Sequence, residues 1–363
     1  MKTVPLLPIA AVALPALLAG CAATTDPSPP PVEILLVVNG GENSLTVVPI
    51  DSLRPTRKIF FGSWPGRSEA VAARGRTAVV TGGESDVVFV VDLRSETHTA
   101  TIALPPGSHP TGAVLINESV AYVTNRGNNT ATRIDLATGD TASLAVGQYP
   151  IDVAVARGRV FVVNANLGPC DDGPTCPLGP SWITVIDPIT NARVAGGDSI
   201  PLPEPGSARS AAVGGDGLIY VVNVGDPDSS LPGRLSIVDP IRREEVGSFG
   251  GFGELPVGLA TDGGERLFVT SLRDGLMEFN TRTRRVVRGA GAGVLVNNAI
   301  TAGVDSHGRV YAIETGDCLS GSVGRLRMFR SDLTEARSIL TGECPTDATV
   351  VLVTTAEEQA DPL

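Results

Sequence analysis

Seven times along this chain a short run of valines and other apolar residues ends in a small polar residue. A second apolar run then follows, usually closed by an acid. The first runs open at Ile34, Thr77, Val120, Val160, Ile219, Leu267 and Val310, at spacings of 43, 43, 40, 59, 48 and 43 residues. That period suits one four-stranded antiparallel sheet per repeat, and such sheets bury their faces by stacking radially. The expected fold class is therefore all-β, a seven-bladed β-propeller of four-stranded blades, numbered here in the order of the runs.

The rest of each repeat supports this reading. An inner strand often opens on proline, as in Pro110-Thr-Gly-Ala-Val, Pro150-Ile-Asp-Val-Ala-Val and Pro256-Val-Gly-Leu-Ala. A Gly- and Arg-rich turn follows, then the valine run, a variable loop, a third strand such as Ile183-Thr-Val-Ile-Asp187, and a polar outer strand. An apolar second strand fits burial on both faces. The first repeat lacks an inner strand, whereas Pro345-Thr-Asp-Ala-Thr-Val350 matches Pro150–Val155 and has no blade after it. Residues 345–353 are thus expected to pair beside residues 34–39 and close the ring, which removes the open edge of the array.

Tyr122-Val123-Thr124-Asn125 is a copy of the signature of the YVTN-repeat β-propellers, with close variants at Val160–Asn164 and Tyr220–Asn223. Asp187-Pro-Ile-Thr190 is similar to that family's strand-to-turn segment. The resemblance spans residues 34–353; blades 6 and 7 depart from it with Thr270-Ser271 and Ile313-Glu314 at the motif.

The N-terminal segment has a different character. Lys2 precedes an apolar stretch, Val4 to Leu18, that is short and broken by Pro5, Pro8 and Pro15. It reads as an export signal and not as a membrane span. Its end, Leu18-Ala19-Gly20-Cys21, resembles the lipobox of bacterial lipoproteins, a family in which the chain is cut before the cysteine and acylated on it; an ordinary secretory signal is the alternative. The expected organisation is a signal peptide at 1–20, lipidated Cys21 and a proline-rich tether at 21–33, the propeller at 34–355, and a tail at 356–363. The resemblance implies attachment to a membrane through the lipid. Ala22, instead of Asp, after the cysteine directs the expectation to the periplasmic side of an outer membrane, over the outer face of a plasma membrane.

The net charge of −11, with no basic cluster or aromatic platform, argues against nucleic-acid binding. Four cysteines remain, Cys170, Cys176, Cys318 and Cys344. An even number in an exported chain suggests disulfides, and the repeat geometry makes 170–176 and 318–344 local pairings.

Most residues that look functional are explained by the repeat. Asn39, Asn125, Asn164 and Asn223 share one repeat position, and Asp51, Asp92, Asp135, Asp187 and Asp239 share another. Both are places where a side chain can bond nearby backbone and start a turn. Of the three histidines, His98 and His307 fall in turns, and His109 alone lies in a loop before an inner strand. One histidine without a partner makes neither a metal site nor an acid–base pair.

Function is expected on the enlarged loops between second and third strands, in blade 4 (Ala165–Ser181), blade 5 (Val224–Gly233) and blade 7 (Thr315–Gly324). The candidate binding face carries Asp171, Asp172, Trp182, Asp226, Asp228, Asp317 and His109. No catalytic residue and no resident metal or cofactor is expected; Ca²⁺ on the acidic loops is the single candidate, without an EF-hand order to support it. The leading expectation is a monomeric, lipid-anchored binding or scaffolding module for an envelope protein or polymer. The rival is a lactonase-like propeller hydrolase with its site at the central channel mouth, a chemistry that needs polar residues converging from several blades.

Overall fold

The computed structural model describes residues 31–55, 57–170, 175–203, 206–225 and 231–354, with Met1. Each repeat folds as a four-stranded antiparallel sheet, and seven of them form a β-propeller. Blade 3 shows the pattern from the axis outward: Pro110–Asn117, Val120–Asn125, Thr130–Asp135 and Thr141–Ala145. In blade 1 the inner strand Pro345–Val353 pairs with Val32–Asn39, which is followed by Ser44–Pro49 and Arg57–Phe60. The ladder runs from Val32 opposite Val353 through Leu35 opposite Val350 to Asn39 opposite Pro345. The ring is closed from the C-terminus as the repeat phase requires.

The apolar second strands are buried because both faces meet neighbouring blades. In blade 4, Val160 and Val162 pack with Tyr122 and Ala131 of blade 3. Phe161 and Val163, one residue out of phase, pack with Ile219 and Val221 of blade 5. A strand residue alternates faces at period two, so a valine run is a strand shared by two cores. Each buried valine or phenylalanine contributes about 1.5–3 kcal/mol relative to exposure.

One boundary differs from the expected one. Val32 and Glu33 belong to the strand and not to the tether, and Glu33 accepts hydrogen bonds from the Ser306 backbone N–H and hydroxyl, both at 2.8 Å. The chain therefore enters the propeller on the face opposite the enlarged loops. In blade 4 the outer strand is split into Ala192–Arg193 and Ser199–Leu202, both paired with Ser181–Asp187. The positive φ of Gly196 and the Arg193–Asp198 ion pair fold out the intervening residues. Among the described residues, no helix is long and apolar enough to cross a membrane.

Candidate functional site: the channel mouth and the cleft between blades 4 and 5

The inner strands share a local irregularity. In blades 4, 5, 6 and 7 the pairing slips between the first and third residues, at Pro150/Asp152, Ala208/Ser210, Pro256/Gly258 and Ala299/Thr301. A bulge inserts an extra residue and bends its strand. The second and third residues of all seven inner segments consequently line one central cavity of about 100 Å³, room for about three waters. In blades 2, 3, 4, 5 and 1 the second positions are Glu69, Thr111, Ile151, Arg209 and Thr346, and the third positions include Asp152 and Asp347.

The two aspartates stitch blades together. Asp152 accepts a hydrogen bond from the Val153 N–H at 2.8 Å and, across to blade 5, from the Ala211 N–H at 2.8 Å. Asp347 accepts from the Val71 N–H of blade 2 at 3.0 Å and from the Thr301 hydroxyl of blade 7 at 3.2 Å. Thr111 and Thr346 add hydroxyl-to-carbonyl bonds to Pro150 and Ser68. Burial raises the Asp152 carboxyl to about 6 against those donors. Burial, with Asp152 as a further like charge, raises Asp347 to about 7.

Nearer the opening, Glu69 pairs with Arg126 of blade 3 at 2.8 Å, and burial still raises its carboxyl above the ordinary range. Arg209 differs from its neighbours. It is exposed, attracts Asp152 and Glu69 through its field, and makes no hydrogen bond or ion pair with any described residue.

Ile151 and Arg209 also line a second cavity, a cleft of about 370 Å³ on the looped face between blades 4 and 5. Tyr149, Leu167, Cys176 and Pro177 form the blade 4 side, and Ser207, Ala208, Val224 and Gly225 the blade 5 side. The blade 4 loop reaches this position because Leu167–Gly168 pairs with Cys176–Pro177 as a two-residue ladder, tied by the Cys170–Cys176 disulfide with Cα atoms 5.6 Å apart. Cys318 and Cys344 form the second disulfide, with Cα atoms 4.8 Å apart at the closure seam. Two disulfides suit an oxidising compartment outside the cytoplasm.

The residues named from the sequence fall in several places. Asp171, Asp172, Asp226 and Asp228 lie outside the described residues, as do Cys21 and residues 356–363. Asp317 is exposed on the blade 7 loop and accepts the Leu319 N–H at 3.0 Å, which bonds its carboxylate within its own loop. Trp182 is half-buried beside Gly147, where a Cβ would come 2.6 Å from its ring. His109 has φ of 47°, and Tyr149, Leu255, Asn298 and Cys344 are left-handed at the same point before their inner strands. That recurrence ties its conformation to the blade.

The repeated Asn and Asp side chains hold the blades. Asn125 Nδ2 donates to Thr130 and Thr132 at 2.8 and 2.7 Å, and Asn39 donates likewise to Ser44 and Thr46. Asp92, Asp135, Asp187 and Asp239 each accept two backbone N–H groups of the following turn. His307 lies with Glu33 and Asp305 in a group that could hold a metal ion, their candidate ligand atoms within 4.8 Å of one another. This group is on the face away from the loops, and Asp305 already binds Arg309 and Tyr311.

Asp152 and Asp347 form a carboxylate pair on the axis that was not among the residues named from the sequence. Sequence reasoning also missed Glu69, Arg126, Tyr149 and Arg209. The usable signal was the second residue after the inner-strand proline, an acid in Pro150-Ile-Asp and Pro345-Thr-Asp but not in Pro110-Thr-Gly or Pro256-Val-Gly.

A seven-bladed β-propeller with a constricted polar axis and an apolar cleft on its looped face is the class defined by this geometry. No protein-family model matches the chain, and no curated protein matches it by sequence. Among solved structures 1542 chains match, so the architecture is too widely shared to select a function. A chain of hydrazine synthase from Kuenenia stuttgartiensis is 15% identical, with 87% of this chain and 99% of that chain covered and a TM-score of 0.62. At that identity the likeness shows the fold alone.

Proposed function

We propose that this protein is a lipid-anchored, extracytoplasmic YVTN-type propeller that acts as a binding or scaffolding module through its looped face. The carrying observation is that the enlarged loops of blades 4 and 5 border an open cleft joined to the channel mouth. The loops of blades 4 and 7 also hold Leu178 and Leu319 in solvent, at 57% and 95% exposure. Apolar side chains and loops presented on a rigid scaffold are the usual basis of recognition. Chain entry at Val32, on the other face, supports the same reading, because a lipid on Cys21 then leaves the looped face free to turn outward. An eleven-residue tether reaches at most about 40 Å, enough to hold the body close to an envelope layer.

Photo-cross-linkers at Leu178 and Leu319, compared with Ile189 and Ile241 on the opposite face, test the reading in the native envelope. Cross-links confined to the looped pair support it, and cross-links confined to the other pair refute it. A Cys21→Ser variant should move from the membrane fraction to the soluble one.

A hydrolase of the lactonase-like class is the second reading, favoured by the convergence of Asp152, Asp347 and Glu69 from three blades. Against it, Asp152 and Asp347 already accept bonds that tie inner strands together. Stoichiometric metal in purified protein together with turnover in a lactone and esterase screen would establish it.

A further inference from the structure

The cleft between blades 4 and 5 has apolar walls and one cationic end. Tyr149, Leu167, Pro177 and Val224 supply the walls, and Arg209 stands where the cleft meets the channel. In a chain of net charge −11, a guanidinium with no bond to any described residue at the end of an apolar cleft is a specific arrangement. The other mouth arginine, Arg126, is already held by Glu69.

From this juxtaposition we infer that the cleft binds a small, elongated apolar molecule ending in a single carboxylate, with the apolar body along Tyr149 and Leu167 and the carboxylate on Arg209. The inference rests on the looped face being the binding face. Size supports it: at about 30 Å³ per water-sized group, 370 Å³ accommodates about a dozen non-hydrogen atoms, the size of a ten-carbon monocarboxylate. Charge selects the head group. A guanidinium fork matches a carboxylate bidentately. Asp152 and Glu69 lie in the field of Arg209 and oppose any anion placed on it, so a single carboxylate meets less opposition than a dianion would. Protonation of Asp152, raised by burial to about 6, removes part of that opposition as pH falls.

The test uses purified protein lacking only the signal peptide and three probes of one chain length: decanoate, decanol and decylammonium, measured by titration calorimetry at pH 6 and pH 8. Decanoate should bind at least tenfold more tightly than decanol, and decylammonium should bind least. Arg209→Gln should cost decanoate at least tenfold while leaving decanol unchanged. Arg209 is exposed, so the substitution should leave the fold intact, as circular dichroism would verify. A Leu167→Glu variant, with an acid placed in the wall, should weaken decanoate and strengthen decylammonium. Equal binding of all three probes, a preference for decylammonium, or no effect of Arg209→Gln overturns the inference. Cross-links on the looped face without decanoate binding would sink the inference alone; decanoate binding without such cross-links would sink the scaffold reading alone.

Discussion

Replacing Asp347 with Asn should make the folded protein less sensitive to alkaline pH. The Asp347 carboxyl is raised to about 7 by burial and by neighbouring Asp152. In the unfolded chain an aspartate titrates near 3.9. The folded state therefore binds this proton more tightly than the unfolded state, and stability from it is fully present below about pH 4. It is lost progressively as pH rises through 7. The difference of about three units is worth about 4 kcal/mol at 1.36 kcal/mol per unit. Asparagine is a close isostere here: its carbonyl can accept the Val71 N–H, and its amide can donate to the Thr301 hydroxyl. Urea denaturation followed by far-ultraviolet circular dichroism at half-unit steps from pH 4.5 to 8.5 reads the effect. The two proteins should be close in stability at the acid end, and Asp347→Asn should become the more stable by several kcal/mol at the alkaline end. Parallel stability curves across that range would refute the argument, because they would mean that the wild-type carboxyl ionises without penalty.

Other consequences are simpler to read. Removing Cys318–Cys344, which closes a 26-residue separation at the seam, should cost about 3.5 kcal/mol by the loop-entropy relation; Cys170–Cys176, with a separation of 6, should cost about 2 kcal/mol. Guanidinium titrations of the paired Ala variants would show the difference, and an equal loss would contradict it. Asn125→Ala should destabilise by about 1–3 kcal/mol, since Thr130 and Thr132 lose a shared buried donor, and a shift in the denaturation midpoint measures it. Phe161→Ala should cost about 3–5 kcal/mol and loosen the core between blades 4 and 5, which hydrogen exchange of Ile219–Asn223 would report.

The architecture was legible in the sequence because the same physical demand recurs seven times. Every second strand must bury both faces, so residues 160–163 and 219–222 are apolar throughout, and the asparagine that closes each run marks its phase. Closure was legible because Pro345-Thr-Asp repeats Pro150-Ile-Asp with nothing after it. The split outer strand of blade 4 was not legible, since Ala192–Arg193 and Ser199–Leu202 carry no apolar period and depend on Ser181–Asp187 for their place.

The channel mouth escaped for a related reason. Repetition identifies what blades share, whereas a site on the axis is built from what they do not share at one repeated position. Asp152 and Asp347 occupy a position that is Gly in blades 3 and 6 and Thr in blade 7. Arg209 occupies the second position, which is Ile in blades 4 and 7 and Val in blade 6. Seen along the chain these are single residues 57 to 195 positions apart; around the ring they face one cavity. The enlarged blade 4 loop was recognised by its length alone, and its two-residue ladder at Leu167–Gly168 and Cys176–Pro177 is what turns that length into a wall for the cleft. The residues that distinguish one blade from another on the axis are therefore departures from the blade consensus at the inner positions. In this chain those departures place a cation that has no bond to any described residue beside an apolar cleft, and two carboxyls raised by burial on the axis.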